Sequence, residues 1–234
     1  MSARTLIPHL AALAAVAGFI ALMLWQFDRA EQKRRVLDNW NREQAIALDD
    51  IEQVPELPQP VFGLGFFEPE RQILLDNKIR DGRSGVHVLT PWHTSDNRIF
   101  LVNRGWAHWP SRDRGLPDPD APEDRLEIRG MLNEPPGVGL ELGDSIKLDS
   151  RQWPQLMTYF NHQRLTAAFG PKLQRQIIQL DPSHPAHLTG DEWKVVTFGP
   201  DRHTGYAFTW GTIALVVAGI WLVLSFRSHR ARRQ

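Results

Sequence analysis

The sequence predicts an α+β protein, with one transmembrane helix at each end and a mainly antiparallel, extracytoplasmic β-domain with a few helices between them. Two apolar runs, residues 6–27 and 206–226, indicate the terminal helices. Between them, short alternating segments are separated by turn residues, which is typical of strands. Because strands greatly outnumber helical segments in this region, we expect one core of the α+β class.

Composition excludes several function classes. The chain has 27 Lys and Arg and 27 Asp and Glu residues, so no net field attracts it to nucleic acid. It contains no cysteine, which excludes disulfides, thiolate metal sites and cysteine nucleophiles. The mean hydropathy of −0.35 resembles that of a soluble protein, because it averages apolar ends with a polar middle.

The first apolar run, residues 6–27, is long enough to cross the ~30 Å hydrocarbon core of a bilayer as a helix. A cleaved signal peptide is the alternative interpretation, but it would be shorter and would end in small residues. This run ends in Leu24, Trp25, Gln26 and Phe27, an aromatic membrane-interface pattern. We therefore predict a retained membrane anchor.

The second apolar run, residues 206–226, carries no charge and is followed by a basic tail, residues 227–234. Positive charge beside a span favours the cytoplasmic side. The first span gives the opposite indication, because more basic residues follow it than precede it. Since long loops cross the membrane largely regardless of charge, we predict that both termini are cytoplasmic and that residues 28–205 form the extracytoplasmic domain.

Within the central domain, residues 28–50 favour continuation of the first helix, which the proline-rich stretch 54–60 should end. Residues 110–123 read as a loop, 82–85 and 135–139 as turns, and Asn161–Phe169 as a short helix. The predicted strands are Val61–Phe67, Gln72–Leu75, Val86–Thr90, Arg98–Val102, Arg125–Leu132, Ile177–Leu180 and Trp193–Thr197.

Histidines are the main candidates for chemistry, since no nucleophile, phosphate-loop or metalloprotease motif is present. His184 and His187 form an HxxH pattern, but the intervening Pro185 favours an exposed loop over a metal site. His203 lies at the mouth of the second span, close to Tyr206. An imidazole there can ligate a membrane-embedded metal cofactor such as heme, or simply lie among lipid headgroups.

Four separated segments resemble the surfeit-one (Surf/Shy) family, whose members assist assembly of cytochrome c oxidase. They are WQxxR (Trp25–Arg29), ILLDN with GxxGxxVLTP (Ile73–Asn77 and Gly82–Pro91), LVNRGW (Leu101–Trp106) and RHxGYAxTW (Arg202–Trp210). Two positions depart from the family pattern: Met23 replaces a usual glycine, and Gly211 replaces a usual aromatic residue.

The resemblance implies a bacterial inner-membrane protein with a periplasmic domain. It further implies help in supplying heme a to oxidase subunit I, through transient heme binding, with heme a synthase and membrane lipid as further partners. His203 corresponds to the family's proposed heme-contacting histidine and is thereby the expected ligand of the heme iron.

Tyr206 and Trp210, beside His203, complete the aromatic side of the expected heme site. Arg29 and Arg104 are candidate partners for heme propionates, and the alternatives are a snorkelling side chain for Arg29 and a structural role for Arg104.

Glycines are expected to matter at three positions. Gly105 should adopt positive φ or make a close contact, while Gly205 and Gly211 should let the two spans approach each other.

Two other functions remain open at this stage. One is an extracytoplasmic scaffold that binds oxidase subunits without touching heme. The other is a membrane-anchored, heme-modifying enzyme, which the lack of a nucleophile–base pair disfavours. We therefore expect a non-enzymatic protein.

Overall fold

The computed structural model describes residues 3–111, 113, 115–136, 152–189, 193, 195 and 198–231. The chain forms two compact units: Met1–Asp38 with Val195–Gln234, and Asn39–Lys194. The first holds most of the two long helices and the second holds the strands, so the predicted α+β architecture with terminal apolar helices is confirmed. In chain order the elements are α1 (Ala3–Trp40), β1 (Ile46–Ala47), β2 (Gln59–Phe67), β3 (Ile73–Arg80), β4 (Arg83–Thr94), β5 (Ile99–His108), β6 (Leu126–Asn133), β7 (Gln155–Met157), α2 (His162–Phe169), β8 (Leu173–Leu180) and α3 (Pro200–Ala231).

The helical unit is an antiparallel pair. Near one end Phe27 of α1 meets Phe208 of α3 edge to face, with ring centroids 5.8 Å apart. Towards the other end, Trp221 of α3 donates a hydrogen bond to His9 of α1. Each helix contains an 18-residue window with a mean hydropathy of 2.1, and each is long enough to cross a membrane. The chain is thus membrane-associated through one helix at each end.

The strand unit contains a closed ring of strands. Neighbouring strands pair in the order β2, β6, β8, β5, β4, and the end of β4 pairs back onto β2 through Phe67 and Trp92. In this ring, as described, the pairing of β5 with β8 is parallel and the others are antiparallel. Beside the ring, β3 pairs with β4, and β7 and β1 add short parallel pairings.

Successive side chains of a strand point to opposite faces of the sheet, and each face carries a core cluster. On β5, Phe100 and Val102 belong to one core cluster with Trp92, whereas Ile99 and Leu101 belong to a second. The first cluster collects buried side chains from all five ring strands. The second covers the opposite face and includes buried residues of α2. Strand β5 is therefore apolar from Ile99 to Val102, because side chains cover it on both faces.

The short helix α2 agrees with its prediction. The side chain of Asn161 accepts a hydrogen bond from the backbone N–H of Arg164 at 3.1 Å, a normal N-cap contact. Leu165 and Phe169 are buried against the second cluster. The predicted boundary is therefore correct to one residue.

The expectation that helix continues through residues 28–50 is wrong beyond Trp40. Helix α1 ends there, well before the prolines that were expected to end it. Ile46 and Ala47 pair with β2 as strand β1, and Leu48 is completely buried in the first core cluster. The guanidinium of Arg98 donates to the backbone carbonyls of Leu48 and Ile51. Strand pairing and burial thus override local helix propensity.

Several predicted strands are shorter than the observed ones. The turn expected at residues 82–85 is formed by Asp81 and Gly82, both with positive φ, so Arg83 already starts β4. Strand β5 runs on to His108, beyond the predicted end at Val102, so the LVNRGW segment lies inside it. Strand β3 continues past Leu75 through a bulge, where Asn77 has a φ of 60°.

Two predicted segments lie partly outside the described residues. These are the turn at residues 135–139 and the strand Trp193–Thr197. Of the latter, Trp193 and Val195 are described, and neither belongs to a strand.

Candidate functional site

His203 lies in the first turns of α3 and contacts the other helix of the pair. Its Nδ1 atom is 2.8 Å from Oε1 of Gln26 on α1. An amide oxygen only accepts hydrogen bonds, so Nδ1 carries the proton and donates it. In the neutral ring, Nε2 then holds a lone pair, and no hydrogen bond to Nε2 occurs within the described part of the chain. A free imidazole lone pair is the donor that a heme iron binds.

His9 is a second histidine in the helix pair, and it has the opposite arrangement. Indole Nε1 of Trp221 lies 2.8 Å from its Nδ1. Because an indole N–H can only donate, Nδ1 of His9 is the acceptor. The neutral ring then carries its proton on Nε2, and its one lone pair is already used. Of these two histidines, His203 is therefore the one arranged to bind a metal.

The other predicted helix residues surround this pair in different ways. Tyr206 lies one turn from His203 on α3, and 53% of its surface is exposed. Trp210 is half-buried and stacks on Phe19 of α1, with ring centroids 5.8 Å apart. Arg29 lies one turn from Gln26, is exposed, and donates along its own helix to Gln32. Tyr206 and Arg29 thus remain accessible beside His203, while Trp210 packs between the helices.

Glycines have unequal roles in the helix pair. A Cβ atom added at Gly211 would lie 2.9 Å from Sδ of Met23, so glycine permits the close approach there. A Cβ atom at Gly205 would meet nothing within 4 Å, and the expectation of close approach at Gly205 is wrong. The two residues that depart from the family pattern, Met23 and Gly211, therefore lie against each other.

Positive charge lies next to His203 where α3 begins. The guanidinium of Arg34 on α1 donates to the hydroxyl of Thr204 at 3.3 Å. Arg202 lies over the ring of Phe198, at 4.9 Å from its centroid. Glu31 forms exposed ion pairs with Arg34 and Arg35, and screening by water makes such pairs weak.

Arg104 belongs to the strand unit and is 2% exposed. Its guanidinium donates to the backbone carbonyls of Pro119, Asp120 and Ala186 and to the side chain of Gln72. Burial lowers the pKa of Arg104 to about 10, and the charge of Asp120 opposes this shift. The side chain therefore stays charged at neutral pH and joins two loops to the ring of strands. This geometry favours the structural interpretation of Arg104.

The rest of the LVNRGW segment is also built into the strand unit. Asn103 accepts the N–H of Gly105 and contacts Nδ1 of His87 at 3.3 Å. Gly105 has a φ of 113°, and a Cβ there would lie 3.0 Å from the ring of His187, so both expectations for this glycine are confirmed. Trp106 donates its indole N–H to the carbonyl of Lys78.

The HxxH residues lie in a turn-rich segment, as the loop interpretation predicted. Nδ1 of His184 accepts the N–H of Ala186, and Nδ1 of His187 accepts the N–H of Thr189. Across the residues that the structure describes, no group of three or more His, Cys, Asp or Glu side chains could hold a metal ion. His87 is half-buried, and desolvation together with the charge of Lys78 lowers its pKa to about 4, so it is neutral at pH 7.

A groove of about 460 Å³ lies on the strand unit. Its walls include Trp40, Phe62, Met131 and Trp193, with Arg42 and Arg129 also lining it. No histidine lines this groove among the described residues, so it offers no imidazole to a heme iron.

Two features of these sites could not be found from sequence. Gln26 and His203 are far apart in the chain, and only the antiparallel pairing of α1 and α3 brings them together. Likewise, Thr90 of the VLTP segment and Arg104 of LVNRGW share Gln72 as a hydrogen-bond partner. For both pairs, Gln26 with His203 and Thr90 with Arg104, the sequence indicated only that the residues belong to motifs of one family.

Comparison with known proteins agrees with the arrangement of helices and strands. The model of the SURF1 family matches residues 13–215, which include parts of both long helices and the whole strand unit. A "SURF1-like protein" of Rickettsia bellii (strain RML369-C) is 29% identical over 101 residues, which cover 40% of this chain and 42% of that protein. The alignment thus spans less than half the length of this curated relative. Because the family match covers most of the sequence, from within α1 to within α3, this chain belongs to the SURF1 family.

Proposed function

We propose that this protein is a non-enzymatic assembly factor for cytochrome c oxidase that aids delivery of heme a to subunit I. Membership of the SURF1 family supports a role in oxidase assembly. The observation that carries the heme step is the hydrogen bond between His203 and Gln26, which leaves a lone pair on Nε2. In this proposal heme a is cargo that is bound and released.

The donor set fits such a cargo. Heme iron accepts an axial imidazole, and Nε2 of His203 would supply it. The exposed ring of Tyr206 offers an aromatic surface one turn away. The exposed guanidinium of Arg29 would pair with a propionate, because arginine matches carboxylate geometry. Trp210 would hold α3, the helix that carries Tyr206, against α1 through its stacking on Phe19.

The proposed location is the bacterial inner membrane. Both termini would be cytoplasmic and the strand unit periplasmic, which agrees with the arginines of the C-terminal tail. The proposed partners are oxidase subunit I, heme a synthase and the surrounding lipid. Heme a in this location reaches subunit I within the plane of the same bilayer.

A delivery role predicts partial loss of oxidase, because free heme can also partition into the bilayer and reach the oxidase slowly. The test compares cells that carry the wild-type chain, cells that carry His203→Ala, and cells without the gene. We expect normal heme a per cell in all three, and less heme a per purified oxidase in the last two. The purified His203→Ala protein should also lose or shift the Soret and α bands of co-purified heme.

The outcomes separate the competing functions. Fully loaded oxidase in cells without the gene would contradict the delivery role. Loss of heme a from the whole cell would favour the heme-modifying enzyme, since an essential covalent step would then be missing. Reduced oxidase with no heme on the purified wild-type protein would favour the scaffold. The matched control is His108→Ala, which removes an exposed imidazole from the strand unit.

A further inference from the structure

Hydrogen-bond partners on the opposite helix determine the tautomers of His9 and His203. Trp221 donates to Nδ1 of His9, whereas Oε1 of Gln26 accepts from Nδ1 of His203. These partners impose opposite tautomers on two imidazoles that otherwise have the same chemistry. Gln26 therefore does more than join the helices, because replacing it with a donor would remove the lone pair from Nε2.

We infer that Gln26 is a positioning residue that holds His203 in the Nδ1–H tautomer and orients its ring, so that Nε2 faces the heme iron. This inference rests on the proposed heme binding by His203. Metal-binding histidines are commonly held in this way, by an acceptor on the nitrogen that does not bind the metal. The acceptor fixes the tautomer and the ring plane, and it makes the ligand more basic.

The position of Gln26 suits this role. It lies on α1, so it constrains His203 from the opposite helix and at 2.8 Å, a normal hydrogen-bond length. Ala207, on the next turn after His203, is completely buried, so α3 is packed at this level. Without the acceptor, the imidazole would sample both tautomers and turn about its side-chain bonds. Loss of such a partner typically lowers metal affinity about 10- to 100-fold.

Two substitutions of Gln26 make different predictions. Gln26→Leu removes the acceptor, so heme affinity should fall about 10-fold or more. Gln26→Glu keeps an acceptor and adds negative charge, so heme should stay bound and its reduction potential should become more negative. Gln163→Leu is the matched control, because Gln163 is an exposed glutamine on a helix of the strand unit, α2, and contacts none of the proposed heme-site residues. It should leave affinity, spectrum and potential unchanged.

A measurement on the heme-free protein tests the tautomer directly. Two-bond ¹H–¹⁵N NMR correlations distinguish Nδ1–H from Nε2–H, and comparison with His203→Ala assigns the signal among the nine histidines. We expect Nδ1–H for His203 in the wild type and in Gln163→Leu, and a mixture in Gln26→Leu. A merely structural role for Gln26 would leave the tautomer of His203 unchanged in Gln26→Leu.

The results overturn the inference if Gln26→Leu keeps the wild-type tautomer, heme affinity and spectrum while His203→Ala loses heme. In that case heme binding by His203 stands and only the role of Gln26 fails. If His203→Ala keeps the wild-type heme spectrum, His203 is not the ligand and the inference fails together with that part of the proposed function.

Discussion

A single buried residue, Arg104, connects three separate stretches of the strand unit. Its guanidinium reaches carbonyls of residues 119 and 120 on one side and residue 186 on the other, in addition to Gln72. A planar group with five donors can serve acceptors in several directions at once, which the ammonium of lysine cannot do. The charge is retained because these oxygens replace the water that burial removes, and because the charge of Asp120 favours the cation.

Arg104→Lys should therefore lower the free energy of unfolding by about 2–4 kcal/mol, because buried carbonyls lose their donors. The measurement is chemical denaturation of the full chain in detergent, followed by circular dichroism. Arg129→Lys is the control, since Arg129 is exposed and pairs with Glu127 at the surface. Equal stability of the two variants would contradict the structural role. Normal stability with less bound heme would instead support Arg104 as a propionate partner.

At the residue scale, a feature could be predicted from the sequence where neighbouring residues cause it. Gly105 was expected to need positive φ or a close contact, and both hold because its own backbone and its neighbour His187 require glycine. The partners of Arg104 and the pairing of Gln26 with His203 were not predictable. They join residues that are far apart in the chain, and no local pattern encodes which of them meet.

Among the elements, α1 and α3 pack closely where Gly211 faces Met23. A small residue opposite a flexible one lets the helices approach, and packing of this kind drives association of membrane helices. The family pattern has glycine in place of Met23 and an aromatic residue in place of Gly211. The pair in this chain is thus consistent with an exchange of large and small residues across one contact.

This exchange predicts that Gly211→Phe separates the helices and that Met23→Gly together with Gly211→Phe restores their packing. Gly211→Ala should have little effect, because the end of the Met23 side chain can move aside. Since the chain has no cysteine, Phe27→Cys with Phe208→Cys provides a specific cross-link to measure pairing. We expect a lower cross-linking yield in Gly211→Phe and a normal yield in the double exchange. An equally low yield in the double exchange would contradict the packing relation.

Element boundaries were predicted less well than element types. The strands in the structure are longer than predicted because pairing with neighbours continues past the alternating core, as in β4 and β5. Strand β1 has no signal of its own and exists because β2 offers a pairing edge to Ile46 and Ala47. The terminal helices were predictable because an apolar run of that length is a local property.

At the scale of the whole molecule, the strand unit lies in sequence between two apolar helices. Both helices were foreseen from sequence, whereas the closure of the ring through β2 and β4 was not. That closure pairs Gly65 with Thr94 and depends on how all the intervening strands are arranged. Closure leaves the ring strands paired on both sides at this point, which protects their edges from pairing with other chains.

The arrangement makes a prediction about the two sides of the membrane, because two spans place both termini on the same side. The arginines of the tail, among them Arg227 and Arg230, favour the cytoplasm, and a loop as long as the central domain is translocated largely regardless of its charge. A phosphatase reporter that is active only in the periplasm should therefore be active when fused after Gly139 and silent when fused after Gln234.

A reporter that fluoresces only in the cytoplasm is the matched control and should give the reverse result. Activity of the phosphatase after Gln234 with silence after Gly139 would place the strand unit in the cytoplasm. In that case the basic residues that follow the first span, Lys33 and Arg34 among them, would have determined the orientation in place of the tail.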